Sequence, residues 1–565
     1  MSIDIVFVTY NSSKWIENCF ESYSQSVFPR GEINIIVVDN GSTDDSVEKL
    51  NEIKKDNDFA SFEIYPMGKN LGFGAGCNAG AKKGASDIVC FFNIDTVIFP
   101  DTLSRLTDEI NASDEKTAVW ELRQFPYEHP KDYDILTGET AWCSAAAIAV
   151  RKKVFNEAKG FDERLYMYSE DVDLSFRIRS LGYKLKYCPK ARITHYAYSE
   201  AHEIKPIQYT YSVVNNQLLR HRFGTCKDIF AGMKNMKNTL THDGPYKGSR
   251  KAMAKLLLKQ AKHLAAFYCW RFTKAKKQRI YPEFIGNDMY THHRDGAFIE
   301  LKDFEEHPLV SIVIRTIGRP NVLREALISL RKQTYENFEV IVVEDGPPDS
   351  KKMIGEEFKD LKLRYISTGD PVGRSAAGNL GMDEANGIYI NFLDDDDLFY
   401  ADHIETLVQF LTETGMYAAY SVAFETAINV KSKDPYKYDI VSTTTRYRQP
   451  FNRLFLLRAN YIPIQSIMFK KCLFEEYGGI DTELDNQEDY DLWLRYAMKV
   501  DFGYVDKTTS VYRVPAYSAG KQRDDKQWAG YEALREKIKD YEFSMDAYTA
   551  GEEVIRIIEK FEKDV

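Results

Sequence analysis

The sequence predicts an α/β protein built from two mostly parallel-sheet domains, and three observations carry the prediction. Short apolar runs rich in β-branched residues alternate with helical stretches along both halves of the 565-residue chain, the rhythm of βαβ units. The conspicuous polar residues fall where those runs end, which in a parallel sheet is the edge that receives ligands. The third observation is a repeat: GFDERLYMYSEDVDLSFRIR from Gly160 is answered by GGIDTELDNQEDYDLWLRYA from Gly478. Self-similarity of that length, separated by half the chain, reads as a duplicated domain.

Ile3 to Thr9 reads as a buried strand, with Asn11-Ser12-Ser13 capping a helix that runs to about Val27. Ile33 to Val38 is the second strand, ending in Asp39-Asn40-Gly41-Ser42, and Thr43 or Asp44 caps the next helix. Ile88 to Phe92 is the third, ending in Asn93-Ile94-Asp95. The pattern restarts after His307-Pro308. Val310 to Arg315 is a strand, Arg319-Pro320-Asn321 opens a helix, and Val340 to Val343 runs into Glu344-Asp345-Gly346. Ile388 to Leu393 then runs into Asp394-Asp395-Asp396-Asp397. Thr9 to Asp39 is 30 residues against 28 from Thr316 to Glu344, and Asp39 to Asp95 is 56 against 52 from Glu344 to Asp396. The expected organisation is a first domain over 1–225, a basic helical connector over 226–305, a second domain over 306–515 and a helical tail over 516–565.

Composition narrows the function classes. Net charge is −10, yet Lys247 to Arg279 holds eleven Lys and Arg and no Asp or Glu, which leaves −21 for the rest. One basic island in an acidic chain is unlike the broad basic face of a nucleic-acid binder, so no nucleic acid is expected as a partner. Within the island Met253, Leu257, Leu264, Phe267 and Tyr268 recur at helical spacing. An amphipathic helix resting on anionic membrane and a connector helix packed between two acidic domains both fit that pattern. The eight cysteines form no Cys-x-x-Cys pair, which suits unpaired thiols in a reducing compartment better than a disulfide framework or a zinc site. With no basic leader and no run of about 18 apolar residues, the expected location is cytoplasmic, at the inner face of the membrane if the island binds lipid. In the tail, Val554, Ile555, Ile557, Ile558 and Phe561 cluster and are expected to dock or to pair chains into a homo-oligomer.

Three constellations carry chemistry. Asp394 to Asp397 directly follow an apolar strand, and carboxylates so crowded call for a cation among them. Hard oxygen ligands suit Mg²⁺ or Mn²⁺ shared with a phosphate; a solvated acidic turn is the plain alternative. Asn70-Leu71-Gly72-Phe73-Gly74-Ala75-Gly76 offers backbone N–H groups at a helix start that suit a diphosphate. Gly373-Arg374-Ser375 is a thinner version, with Arg374 adding charge. Glu170-Asp171-Val172-Asp173 and Glu488-Asp489-Tyr490-Asp491 each open a helix, aiming one carboxylate at a cleft and using others for capping. His195 ends a strand-like Ala191-Arg192-Ile193-Thr194.

Together, Val-Val-Asp-Asn-Gly-Ser, Asn-Leu-Gly-Phe-Gly-Ala-Gly-Cys-Asn-Ala-Gly, Phe-Asn-Ile-Asp-Thr and Tyr-Ser-Glu-Asp-Val-Asp-Leu resemble the motifs of a family 2 glycosyltransferase of the GT-A fold. The first domain is similar to the bacterial rhamnosyltransferase-like branch. The second, with Phe-Leu-Asp-Asp-Asp-Asp and Glu-Asp-Tyr-Asp-Leu-Trp-Leu-Arg, resembles the family's broader type. The resemblance implies nucleotide-diphosphate sugars as donors, a divalent cation, and inverting transfer to a growing bacterial glycan, lipid-linked or on a glycoprotein. It implies Asp171 and Asp489 as general bases. It puts Thr9, Asp39, Asn70, Gly72 and Asn93 at the donor in the first domain and Thr316, Glu344, Arg374, Asp394 and Asp395 in the second, with Asp39 and Glu344 on the nucleotide base. It gives the cation to Asp95 with His195, and to Asp394 with Asp396. In the second domain Pro515 stands where the family often has a His. Two readings follow, two transferases adding sugars in turn or one transferase beside an acceptor-holding domain. A sugar-nucleotide pyrophosphorylase is a third, and the chain lacks its glycine-rich N-terminal signature.

Overall fold

The computed structural model describes residues 1–128, 132–198, 203–273, 276–286, 289–290, 294–296, 299–300, 306–484, 486–516 and 521–563, with the backbone alone for 521–528 and 560–563. The chain divides into two compact units, Met1–Leu301 and Lys302–Val565. The stretch expected to be a separate connector therefore folds with the first unit.

Unit 1 opens with β1 (Ile3–Thr9), α1 (Ser13–Ser24), β2 (Ile33–Asp39), α2 (Ser46–Lys55), β3 (Ser61–Pro66) and α3 (Phe73–Ala81). It continues through β4 (Ile88–Asn93), β5 (Thr96–Ile98), α4 (Thr102–Asn111), β6 (Thr117–Phe125), β7 (Ala147–Arg151) and α5 (Lys152–Glu157). Next come α6 (Glu170–Ser180), β8 (Lys184–His195) and three longer helices, α7 (Pro206–Phe223), α8 (Cys226–Thr241) and α9 (Ser249–Trp270). The sheet order is β3-β2-β1-β4-β7-β6-β8-β5. β3, β2, β1 and β4 run parallel, so Thr9, Asp39 and Asn93 emerge at one edge. Ile5, Phe7, Ile35 and Val37 pack into one layer and Val6, Ile36, Val89 and Phe91 into the other, because successive strand residues face opposite sides and a parallel sheet is covered on both. That double burial is why these strands read as unbroken apolar runs. α1 stops at Ser24, short of the expected Val27, whose N–H instead donates to Pro100 O while Phe28 turns into the core.

Unit 2 repeats the plan with β9 (Val310–Thr316), α10 (Pro320–Arg331), β10 (Phe338–Glu344), α11 (Lys351–Glu357), β11 (Leu363–Ser367) and α12 (Arg374–Asp383). It goes on with β12 (Tyr389–Phe392), β13 (Leu398–Phe399), α13 (His403–Thr414), β14 (Ala418–Lys433), β15 (Tyr436–Thr444) and α14 (Arg453–Leu456). β16 (Ile467–Lys470), α15 (Lys471–Tyr477), α16 (Glu488–Ala497), β17 (Phe502–Pro515), α17 (Lys521–Ile538) and α18 (Ala547–Lys563) complete it. Its sheet runs β11-β10-β9-β12-β16-β14-β17-β13, with β15 added on β14. Strand for strand this is the order of unit 1, so the repeated motif marks a repeated topology.

The apolar stripe of the basic island is used inside unit 1. Met253 and Leu256 of α9 pack with Val213 and Val214 of α7 and Met236 of α8, and Phe267 joins Leu218, Leu219 and Phe223. Leu258 stays outward, 80% exposed. Among the described residues no helix is long and apolar enough to cross a membrane. The tail docks on its own unit: Leu534 is wholly buried in the unit 2 core, Tyr541 donates to Asp491, and Glu553 accepts from Asn452 and Leu454 N. Val554, Ile555 and Ile558 remain exposed, and the Phe561 side chain lies outside the described residues. Leu534→Ala is expected to cost unit 2 about 2–5 kcal/mol, read as a lower denaturation midpoint; an unchanged midpoint means the tail is not docked.

Candidate active site

In unit 1 the strand ends bring four polar side chains together. β6 and β8 run parallel and β5 pairs with β8, with Thr96 opposite His195. That register sets His195 Nε2 3.5 Å from Asp95 Oδ1 and 3.3 Å from Asn93 Nδ2, while His195 Nδ1 lies 2.7 Å from Gln124 Oε1. Gln124 thereby positions the imidazole ring, with Nε2 turned toward Asp95. Burial pushes the Asp95 carboxyl up, but the hydrogen bond and charge of His195 hold it below the usual range.

The repeated acidic motif opens α6 and α16, and its three carboxylates have different fates. Asp173 and Asp491 are wholly buried and ion-paired within their own helices, to Arg177 at 2.7 Å and Arg495 at 2.8 Å. Glu170 and Glu488 are also buried; burial and the neighbouring Asp171 charge push Glu170 well up, whereas Glu488 pairs with Arg315 at 3.2 Å and Arg374 at 3.4 Å. The middle residue is the one aimed outward. Asp171 lines a cavity of about 570 Å³ together with Asn93, Asp95 and His195, its oxygens accepting from Ala145 N and Val172 N. Asp489 accepts from Tyr490 N at 2.8 Å and from Asn460 Nδ2 at 3.3 Å. Each helix starts after a residue in the left-handed region, Ser169 at φ 66° and Gln487 at φ 64°, a sharp turn that presents the middle carboxylate.

The remaining donor candidates lie at the strand ends and in the loop before α3. Thr9 and Asp39 are buried at their strand ends, and Asp39 accepts from Gly41 N and Ser42 N. Asn70 Oδ1 accepts from Gly72 N, and Asn40 Nδ2 donates to Gly72 O. Gly72 has φ 94°, and a Cβ there would sit 2.3 Å from Tyr166 O, so the turn requires glycine. In unit 2, Glu344 is fully buried with both oxygens taken, by Gly318 N, Ser350 and Tyr365. Its visible work is to hold the loop after β9 rather than to face a nucleotide base.

The aspartate tetrad divides. Arg315 grips Asp394 with two hydrogen bonds of 2.9 and 2.8 Å. Asp395 is fully buried, accepts from Thr316 Oγ1 at 2.6 Å and pairs with Arg319, and burial pushes its carboxyl up to about 7. Asp397 is buried and accepts from Arg513 N at 2.9 Å. Asp396 keeps an open carboxylate, 41% exposed, with Arg319 3.3 Å away. The residue in register with His195 is Tyr512, because Leu398 pairs with Val511 where Val97 pairs with Thr194; Pro515 lies three residues further on and does not hold that place.

Among the described residues no group of three or more His, Cys, Asp or Glu side chains is arranged to hold a metal ion. Unit 1 nevertheless offers two side chains, Asp95 and His195, that fit a divalent cation and would hold it beside the strand ends. Unit 2 does not fit one in that way, since arginines engage Asp394 and Asp396 and a tyrosine replaces the histidine. Gln124, Arg315, Arg319 and Tyr512 do not stand out as site candidates in the sequence. Arg315 carries a signal, a cation one residue inside the end of an apolar strand.

Two stretches of the chain, residues 4–156 and 311–474, match the profile of "Glycosyl transferase family 2". An uncharacterized glycosyltransferase of Rickettsia felis is 23% identical over 541 residues, covering 91% of this chain and 79% of the relative. YwdF of Bacillus subtilis, also an uncharacterized glycosyltransferase, is 30% identical over 41% of this chain and 81% of its own length. Among solved structures, a mannosyltransferase from Pyrobaculum calidifontis in complex with GDP-Man and Mn²⁺ covers 48% of this chain and 83% of its own at 15% identity, with a TM-score of 0.34. TarS 1-349 of S. aureus in complex with UDP covers 52% and 99% at 14% identity, with a TM-score of 0.31. Matched over more than half of its length, the chain belongs to glycosyl transferase family 2 and carries one domain of that family in each unit.

Proposed function

We propose that both units transfer a sugar from a nucleoside-diphosphate donor to a hydroxyl of a growing glycan, with inversion at the anomeric carbon. The observation that supports this most is the presentation, twice, of one carboxylate at a helix start beside the ligand-receiving strand ends, Asp171 in unit 1 and Asp489 in unit 2. Each takes the proton of the acceptor hydroxyl as its oxygen bonds to the anomeric carbon. The bond from that carbon to the diphosphate breaks, and the electron pair leaves with the diphosphate.

Leaving-group charge is met differently in the two units. In unit 1 Asp95 and His195 would hold a divalent cation, which supplies Lewis-acid stabilisation of the diphosphate. In unit 2 the positive charge comes from Arg374 at the first turn of α12 and Arg319 beside Asp396. Asn93, Thr9, Asp39, Asn70 and Gly72 in unit 1, and Thr316, Asp394 and Asp395 in unit 2, form or brace the donor side. An alternative is a single active unit with the other holding acceptor, and the tyrosine in the place of His195 makes unit 2 the one to test.

The deciding experiment is nucleotide release from a panel of nucleotide sugars with a glycoside acceptor, with and without Mg²⁺ or Mn²⁺. Release is expected, and a chelator should slow the step assigned to unit 1 more than the step assigned to unit 2. No release from any donor sinks the reading; equal loss of both steps on chelation sinks the contrast between the units.

A further inference from the structure

The cavity that holds Asp171 has walls that the family match does not account for. Beside Asn93, Asp95 and His195 it is lined by Trp142, Tyr198, Gln208, Tyr209, Ser212 and Tyr290. All but Trp142 lie beyond residue 156, where the match to the first domain ends. They come from the stretch after β8, from α7 and from the Met289–Tyr290 segment. These walls are fastened to the base rather than loosely apposed. Asn215, wholly buried on α7, donates to Met167 O at 3.1 Å and Tyr168 O at 2.8 Å. Tyr290 OH lies 3.0 Å from Ser169 Oγ. Tyr168 and Ser169, just ahead of Glu170 and Asp171, both hold positive φ, 60° and 66°. The strained turn that aims the base is therefore held by the same elements that wall the cavity.

Resting on the function proposed above, we propose that α7 and Met289–Tyr290 form the acceptor subsite of unit 1, and that its occupant is a saccharide. A pyranose has an apolar C–H face and a rim of hydroxyls. The lining answers both, with aromatic side chains that carry polar tips and with the Gln208 amide and Ser212 hydroxyl. The tie between α7 and the turn before Asp171 sets one acceptor hydroxyl against the carboxylate. Its oxygen bonds to the donor's anomeric carbon, its proton passes to Asp171, and the diphosphate departs with the electron pair. Donor recognition is thus left to the strand ends, and acceptor choice to α7 and the Met289–Tyr290 segment.

The test is steady-state kinetics of the full chain in an Asp489→Asn background, varying donor and acceptor separately, for Gln208→Ala, Tyr209→Ala and Tyr209→Phe. Loss of a hydrogen bond or a stacking ring at the acceptor should raise acceptor KM about tenfold, the equivalent of roughly 1.4 kcal/mol, with donor KM moved less than about twofold. Tyr209→Phe, which keeps the ring, should recover most of the Tyr209→Ala loss. An unchanged acceptor KM in both alanine variants, or a rise in donor KM instead, overturns the assignment. If the wild type releases nucleotide from no donor, the functional reading itself has failed. The subsite is then judged by saturation-transfer NMR with methyl glycosides and disaccharides. A transfer signal seen with the wild type and abolished by Tyr209→Ala supports it, and no signal from any saccharide refutes it.

Discussion

Asp171→Asn is expected to slow the unit 1 transfer step by about 10²–10⁴-fold, the usual worth of a positioned general base, while the unit 2 step keeps its wild-type rate. The substitution is nearly isosteric, so the cavity keeps its shape. Asn retains one acceptor oxygen where Asp171 offers two, to Ala145 N and Val172 N, and the amide it introduces must face one of those N–H groups. The structural cost is on the order of 1 kcal/mol, small enough for the variant to be compared folded. Donor binding should survive, because the donor-side residues sit at the strand ends and not on α6. The check is separate assay of the two steps, together with donor affinity by calorimetry. A variant that still transfers within a few-fold of wild type in both steps would show that Asp171 takes no proton.

Much of this arrangement is legible in the sequence for identifiable reasons. β1, β2, β4 and β9 announce themselves because both faces of a parallel sheet are covered, so few polar residues interrupt the run before the ligand edge. The two acidic motifs are legible because a helix start concentrates carboxylates, and their repetition separates function from capping. Which carboxylate does what is not legible in the motif itself; only the family resemblance points to Asp171 and Asp489. Asp173 and Asp491 look identical to Asp171 and Asp489 in sequence, and only helix phase and the presence of Arg177 and Arg495 one turn on consign them to ion pairs. Counting along the last strand misplaces the residue that corresponds to His195. Strand β17 changes register against β14 twice, and only the cross-strand pairing identifies Tyr512 rather than Pro515. Glu344 reads as ligand-facing from its position alone. Its bonds to Gly318, Ser350 and Tyr365 are long-range or loop contacts that have no periodic signature. The basic island is legible as a helix but not as a packed one, since an apolar stripe does not say whether lipid or a neighbouring helix covers it.

The unit 2 step is expected to fall about tenfold per pH unit as pH drops below about 7. Burial and the charge of Glu488 push Asp489 up to about 7. A base must be unprotonated to accept the acceptor's proton, so a raised pKa removes the active form as pH falls through that value and leaves it intact above. Arg315 opposes the rise: its charge favours the ionised Asp489, and it is held in place by Asp394 and Glu488. Arg315→Met should therefore move the acidic limb to higher pH, by about one unit if the cation acts at the usual strength of a nearby opposite charge. The profile is measured in an Asp171→Asn background, so that unit 1 contributes nothing to it. Asp489→Asn in the same background should lose about 10²–10⁴-fold and flatten the limb. An acidic limb near pH 4 in the wild type, unmoved by Arg315→Met, would mean that the proton is taken by a group outside this cluster. In that case the Glu488–Asp489 pair serves structure, and unit 2 transfers its sugar through a different base.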